Sequence, residues 1–390
     1  MTAPARSGEL GTPLPRVSLV SEPVALPRWK RAVLKVGSNL IAPGGQRLST
    51  RHLLSIARFI AEARADGREI VLVSSGAVAA GRALLGSLDA SALPAKQALA
   101  AIGQPRMVEA WARLLDVPCA QVLLAFDDLQ NRRRFVNAKN TLRELLRAGA
   151  LPIINENDSV AVDELRLGDN DNLAAHVAVL VEADLLVILS DIDGLYDADP
   201  RKVPTAMRIA RVAAIDDAVF ALAGGAGSSV GTGGMRTKLE AAAKAAARGI
   251  PTVIAHGGKA DVLEALGRGE CPGTLFEPTA APASAKAHWM RHALASQGQL
   301  QVDAGALRAL KERGASLLPA GVRGVEGTFR AGDAVEIHVV GDARPFAKGI
   351  AQYDASELRR VLGKPSAELP VLLGYEGPET VIHRDDLVLL

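Results

Sequence analysis

Lys35 interrupts the apolar run Ala32-Val33-Leu34-Lys35-Val36. An ammonium in such a run is costly without an anion facing it. Two readings compete: a clamp on phosphates, or a lysine snorkelling from an edge strand. The next residues, Gly37 and Ser38, favour the clamp, because glycine lets a backbone approach an anion closely. A second cluster, Gly231-Thr232-Gly233-Gly234-Met235-Arg236-Thr237-Lys238, leads into the strong helix former 239–247. A helix start carries partial positive charge, so Arg236 and Lys238 are misplaced there for helix stability alone. A bound phosphate resolves that conflict, and solvated cations on a surface loop are the plainer alternative. A third cluster, Gly168-Asp169-Asn170-Asp171-Asn172, supplies acids. Asp169 suits a helix N-cap, and Asp171 falls in the first turn. Asp171 becomes more than a cap if the two lysines converge and need a counter-charge.

Other chemistries find less support. GxxxxGK[ST] is absent, and no GxGxxG follows the first apolar run. Asp191, Asp193, Asp197 and Asp199 lack the closing glutamate of a calcium loop, and Gly194 comes too early in it. The seven histidines show no metal-binding spacing. Arg132-Arg133-Arg134 reads as a solvated helix face. A net charge of +2 over 390 residues gives no field favouring nucleic acid or anionic membrane. No apolar run reaches the ~20 residues of a membrane helix. Cys119 and Cys271 fit a reduced, cytoplasmic compartment.

The elements that must position these clusters can be read from periodicity. Apolar runs at 32–36, 70–73, 121–124, 151–154, 185–189 and 252–254 read as strands buried on both faces. Helical patterns at 51–65, 95–115, 134–148, 172–183 and 235–248 lie between them, and Gly67, Gly149 and Gly249 follow three of these as left-handed caps. The alternation predicts an α/β fold with a mostly parallel sheet sandwiched by helices. Ligands of such sheets bind beyond the carboxyl ends of the strands. Lys35–Asn39, Ser74–Ala77, Asn155–Asp158 and Ser190–Gly194 all sit at those ends, which points to one shared cleft. After Gly273 the pattern changes. Short strands at 326–330, 334–340 and 346–353, with a hairpin turn at 341–344, predict a small β-rich domain. The expected division is a disordered extension over 1–28, an α/β domain over 29–277, a linker over 278–297 and the second domain over 298–390. A targeting peptide is the other reading of the proline-rich extension, but no compact apolar block supports it.

The segments VLKVGSNL (33–40), VLVSSGAVAAGR (71–82), KQALAAIGQPRM (96–107), PIINENDSVA (152–161), GDNDNLAA (168–175), LSDIDGLYDADPR (189–201) and GTGGMRTKLEAA (231–242) resemble the amino-acid kinase superfamily. INEND with GDNDN is more particular to its glutamate 5-kinase branch. RGASLLPAGVRGVEGTF (313–329) and LLGYEGPETVIHRDD (372–386) resemble that branch's PUA domain.

The resemblance covers about 30–388 and implies ATP-dependent phosphorylation of the L-glutamate side chain, the first step of proline biosynthesis. By it, Lys35 and Lys238 contact the transferring phosphoryl group and Asp171 orients them. Ser75, Asp158 and Asn170 hold glutamate. Lys35, Gly37, Ser190 and Asp191 line the ATP side, with Thr232, Gly233, Gly234, Met235, Arg236, Thr237 and Lys238 over the phosphates. Mg²⁺ is expected on nucleotide oxygens and water, with no protein ligand set. Feedback inhibition by proline, a partner glutamate-5-semialdehyde dehydrogenase and a tetramer are further expectations of the resemblance. The rivals are the acetylglutamate, aspartate, carbamate and uridylate kinases, a catalytically dead regulator, and an RNA-binding protein, since PUA domains often bind RNA. Residues 299–390 carry 11 basic and 13 acidic side chains, or 11 − 13 = −2, a poor footprint for RNA.

Overall fold

The computed structural model describes residues 17–19, 24–45, 47–86, 92–161, 170–223, 234–279 and 295–390. The first domain is built on strands β1 (Val17–Leu19), β2 (Val24–Ala25), β3 (Arg31–Val36), β4 (Glu69–Ser74), β5 (Cys119–Leu124), β6 (Leu151–Glu156), β7 (Leu185–Ser190), β8 (Ile209–Val212), β9 (Thr252–His256), β10 (Glu270–Cys271) and β11 (Thr274–Phe276). Its helices are α1 (Ser38–Ile41), α2 (Leu53–Ala65), α3 (Ala77–Leu84), α4 (Leu93–Ala112), α5 (Phe126–Gln130), α6 (Arg132–Arg147), α7 (Asn170–Leu180), α8 (Asp217–Leu222), α9 (Met235–Ala246) and α10 (Ala260–Gly267).

Among the described residues the main sheet runs β1-β8-β11-β9-β7-β3-β4-β6-β5. Its centre, from β9 to β5, is parallel, and β11 turns antiparallel against β9. Each face has its own core. Val33, Val71, Ile188 and Ile254 pack under α7 and α9, while Leu34, Leu72, Leu189 and Val253 pack under α2 and α10. This two-sided burial is why the central strands read as unbroken apolar runs. Lys35 alternates with Leu34 and Val36, so it shares the face of Val33, toward α7 and α9. The glycines expected to end helices, Gly67, Gly149 and Gly249, have φ of 75°, 75° and 79°.

Two boundaries need correction. The extension over 1–28 was expected to be disordered, yet β1 pairs antiparallel with β8, and β2 with β10. Proline forbids a helix there but not a short strand; β1 covers the open edge of β8, and β2 forms a separate two-stranded pair with β10. The expected linker ends earlier than 297, because a strand at Ser296–Val302 opens the second domain. Its mixed polar pattern hid it. Residues 280–294 lie outside the described set.

The second domain is a five-stranded sheet with Ser296–Val302 beside Val322–Gly327 and Ala334–Val339, followed outward by Ala347–Ile350 and Leu387–Leu389. The turn between Val339 and Ala347 carries Gly341 at φ 86°. Its own core includes Leu300, Ile337, Tyr353 and Ile382. It meets the first domain through Lys139 on α6, which bridges Asp386 and Glu182, the latter at 3.0 Å just past α7. Arg143 sits 3.7 Å from Asp386.

The start of α3 is fixed by an unusually close approach to α4. A Cβ on Gly103 would lie 1.9 Å from the Ala77 carbonyl oxygen and 2.3 Å from the Gly81 nitrogen. One on Gly81 would lie 1.9 Å from the Leu99 carbonyl oxygen. All of these are backbone atoms, so only separation of the helices makes room. Gly103→Ala is expected to cost about 3 kcal/mol by overpacking, read as a lowered urea midpoint. An unchanged midpoint would contradict the contact.

Candidate active site

Asp171 is the centre of the site. It stands in the first turn of α7 and is fully buried. Lys35 from β3 reaches its Oδ1 at 2.6 Å, and Lys238 from α9 reaches its Oδ2 at 2.9 Å. Both lysines are at least 95% buried, at 5% and 3% exposure. Thr237 Oγ1 also donates to Asp171 Oδ2 at 3.1 Å and is 2.8 Å from the Gly234 carbonyl oxygen. Burial by itself raises the Asp171 pKa. The two ammoniums outweigh it and bring the carboxyl down to about 2. The triad therefore holds two positive charges and one negative. A buried group with an unbalanced cation favours an anionic ligand.

The residues expected on the nucleotide side lie next to it. Asp191 follows β7, accepts from Asn39 at 2.8 Å and from Ser190 at 3.0 Å. Burial pushes the Asp191 pKa up. Those hydrogen bonds, its own backbone N–H and the Lys238 charge more than reverse this and lower it. The Gly37 N–H is engaged by the Leu189 carbonyl oxygen at 3.0 Å. What glycine provides there is room, since an added Cβ would lie 3.2 Å from that oxygen and 3.8 Å from Lys35 Nζ. Gly234 precedes α9 as its N-cap, and Met235 packs against the core. Arg236 is not drawn into the cluster. Its side chain is 71% exposed and pairs with Glu240 at 3.2 Å, which relieves its misfit at a helix start. Thr232, Gly233 and Asp169 lie outside the described residues.

The expected substrate side abuts the same helix turn. Asn170 Nδ2 donates to Ser75 Oγ at 2.7 Å and to Asn155 Oδ1 at 2.9 Å. Asn155 Nδ2 donates in turn to Gln104 Oε1 at 2.9 Å. Asp158 lies half-buried in the turn after β6. Sequence reasoning assigned no role to Asn155 or Gln104. Asn155 was placed at the rim only as part of the polar strand end 155–158, without a role of its own. Gln104 could not be found, because one polar residue in an amphipathic helix carries no signal. Ser74 is held by the Trp111 indole N–H at 2.8 Å. Among the described residues no three His, Cys, Asp or Glu side chains converge to hold a metal ion. No described helix is long and apolar enough to cross a membrane.

The arrangement places two ammoniums over one carboxylate, with an amide–hydroxyl cluster a single residue away, at the carboxyl ends of parallel strands. That suits transfer of a polyanionic group onto a small polar acceptor. Comparison with known proteins agrees with this class. The model of the Amino acid kinase family matches residues 30–256, and that of the PUA domain matches 298–373. Similar relatives named Glutamate 5-kinase include three from different organisms. That of Salinibacter ruber is 57% identical over 371 residues, covering 94% of this chain and 99% of its own. That of Xanthomonas campestris pv. campestris is 54% identical, covering 92% and 100%. That of Xylella fastidiosa is 51% identical, covering 97% and 100%. The chain belongs to the amino acid kinase family and, within it, to the glutamate 5-kinases.

The low Asp171 pKa has a consequence for stability. Unfolded, this carboxyl titrates near ~3.9, above its folded value of about 2. Its stabilising contribution is complete above the unfolded value and is lost as pH falls from about 4 toward 2. Asp171→Asn leaves two buried ammoniums without their carboxylate and is expected to cost about 3–5 kcal/mol at pH 7. The gap from wild type should narrow in urea titrations at pH 3. A gap independent of pH would refute the pairing.

Proposed function

We propose that this chain moves the terminal phosphoryl group of ATP onto the side-chain carboxylate of L-glutamate, giving L-glutamyl 5-phosphate, the first step of proline biosynthesis. The observation that carries the reading is the convergence of Lys35 and Lys238 on Asp171. A glutamate side chain titrates near ~4.3 and is already ionised at neutral pH, so it attacks without a general base. The carboxylate oxygen forms a bond to the γ-phosphorus, and the bond from that phosphorus to the bridging oxygen of ADP breaks. The protein aligns the two reactants and balances charge on the transferring group.

Lys35 and Lys238 contact that group, and Asp171 holds them apart and in place. Ser75, Asp158 and Asn170 bind glutamate. Gly37, Ser190 and Asp191 line the nucleotide, with residues 232–238 over its phosphates. Among the described residues no three His, Cys, Asp or Glu side chains group together to hold a metal ion. Mg²⁺ is assigned to nucleotide oxygens and water, and no step here is routed through it.

The wider reading follows the same resemblance. The product is an acyl phosphate, which hydrolyses readily, so a reductase such as glutamate-5-semialdehyde dehydrogenase should take it directly. Proline as feedback inhibitor, a homotetramer and a cytoplasmic location belong to this proposal. Cys119 and Cys271 are unpaired, in keeping with a reducing compartment. The division into kinase and PUA-type domains is supported by their separate cores. The charge of −2 over 299–390 speaks against RNA as the second domain's ligand.

ADP release measured side by side with glutamate, N-acetylglutamate and aspartate tests the assignment. Glutamate should be turned over far faster, and preference for either rival would refute it. Lys238→Met should lose on the order of 10²–10³ in kcat while its circular dichroism and melting stay near wild type. Near-normal turnover would remove Lys238 from the chemistry.

A further inference from the structure

The amides behind the substrate end of the cleft form a chain with a direction. An amide nitrogen only donates and an amide oxygen only accepts. Gln104 Oε1 accepts from Asn155 Nδ2 at 2.9 Å, which turns Asn155 Oδ1 the other way, toward Asn170. There it accepts from Asn170 Nδ2 at 2.9 Å, and the same nitrogen donates to Ser75 Oγ at 2.7 Å. Asn170 has thereby committed both amide hydrogens and is left with its carbonyl oxygen. Ser75 has accepted, and its own hydroxyl hydrogen remains to be given. Asn170 and Ser75 are both partly exposed, whereas Gln104 and Asn155 are buried at 6% and 3%. The polarity shown at the cleft is therefore set from inside.

Gln104 holds this position at a cost. Its Nε2 is buried with no hydrogen-bond partner among the described residues. An unsatisfied buried donor is destabilising, and an apolar side chain of similar volume would fill the same space without that cost. Packing alone does not account for a glutamine here. Its one satisfied group is the oxygen that orients Asn155.

We propose that Gln104 is a positioning residue for substrate specificity. By accepting from Asn155 it makes the exposed end of the chain an acceptor beside a donor, Asn170 Oδ1 and the Ser75 hydroxyl. That pair matches the α-ammonium and a carboxylate oxygen of a free amino acid. The inference rests on the glutamate reading given above and adds to it the residue that sets the site's polarity. Reversal of Asn155 would present the Asn170 amide hydrogens to the substrate ammonium, donor against donor.

The test compares glutamate with glutarate, which lacks the α-ammonium, in wild type, Gln104→Leu and Gln104→Glu. Leucine removes the acceptor and frees Asn155 to reverse. It should raise the glutamate KM and shrink the glutamate-over-glutarate preference in kcat/KM, each about tenfold, the scale of one hydrogen bond to a charged group. The ATP KM should stay within about twofold, since Gln104 itself hydrogen-bonds to Asn155 and to none of Lys35, Asp171 and Lys238. Glutamate at 104 keeps the acceptor and should keep the preference. If the leucine variant fails to fold, Gln104→Met replaces it, with the same expectation. A preference unmoved in the folded leucine or methionine variant overturns the inference alone, as does its loss in the glutamate variant. Wild-type protein that fails to turn over glutamate overturns this inference and the functional reading together.

Discussion

One carboxylate buried between two ammoniums organises this protein. Asp171 contributes a single negative charge against Lys35 and Lys238, so the triad is satisfied in geometry but not in charge. Burying the ions is expensive, and removing the carboxylate would strand both ammoniums. The arrangement persists because three separate elements are held to it from the core: β3 by its neighbours in the sheet, and α7 and α9 by the apolar layer they share. A net positive charge in low dielectric, at the open ends of the strands, favours a ligand that brings negative charge. The fold brings the strand ends together, while the charge imbalance there favours an anionic ligand.

Much of this was legible in the sequence. A charged residue inside an apolar strand demands a partner, which made Lys35 informative. Parallel-sheet geometry then placed the polar strand ends of β3, β4, β6 and β7 at one rim. The second lysine needed the fold, since nothing in 231–238 alone says that its helix packs beside α7. Arg236 shows the limit of the local argument. Its misfit at a helix start is real, yet Glu240 one turn on answers it. A residue's conflict with its own helix shows that a partner exists without saying which.

What stayed hidden was hidden for physical reasons. The strands β1 and β2 lie among prolines, whose strongest signal is against helix, and edge strands need little intrinsic preference. The strand at Ser296–Val302 alternates polar and small residues, so its pairing with two neighbours is visible only in the assembled sheet. Gln104 and Asn155 act through direction of hydrogen bonding, a property of pairs and not of composition. The glycines at 81 and 103 are poor helix formers by intrinsic preference. They are the reason that α3 and α4 touch at all.

The two halves of the site are joined by one peptide bond. Asn170 belongs to the amide chain and Asp171 to the lysines, and both lie in the first turn of α7. Side chains of neighbouring residues diverge by about 100° around a helix. One rigid turn can therefore aim one residue at the acceptor and the next at the transferring group. The separation between them is then fixed by covalent geometry and not by a loop. Since a loose phosphoryl-transfer state offers little for a protein to do beyond alignment and charge balance, placing both tasks on adjacent residues of a buried helix is a direct way to meet them. It also fits the burial of most of α7, its polar Asp171 and Asn172 included. On the proposed reading, a helix that sets the distance between donor and acceptor has to be firmly anchored.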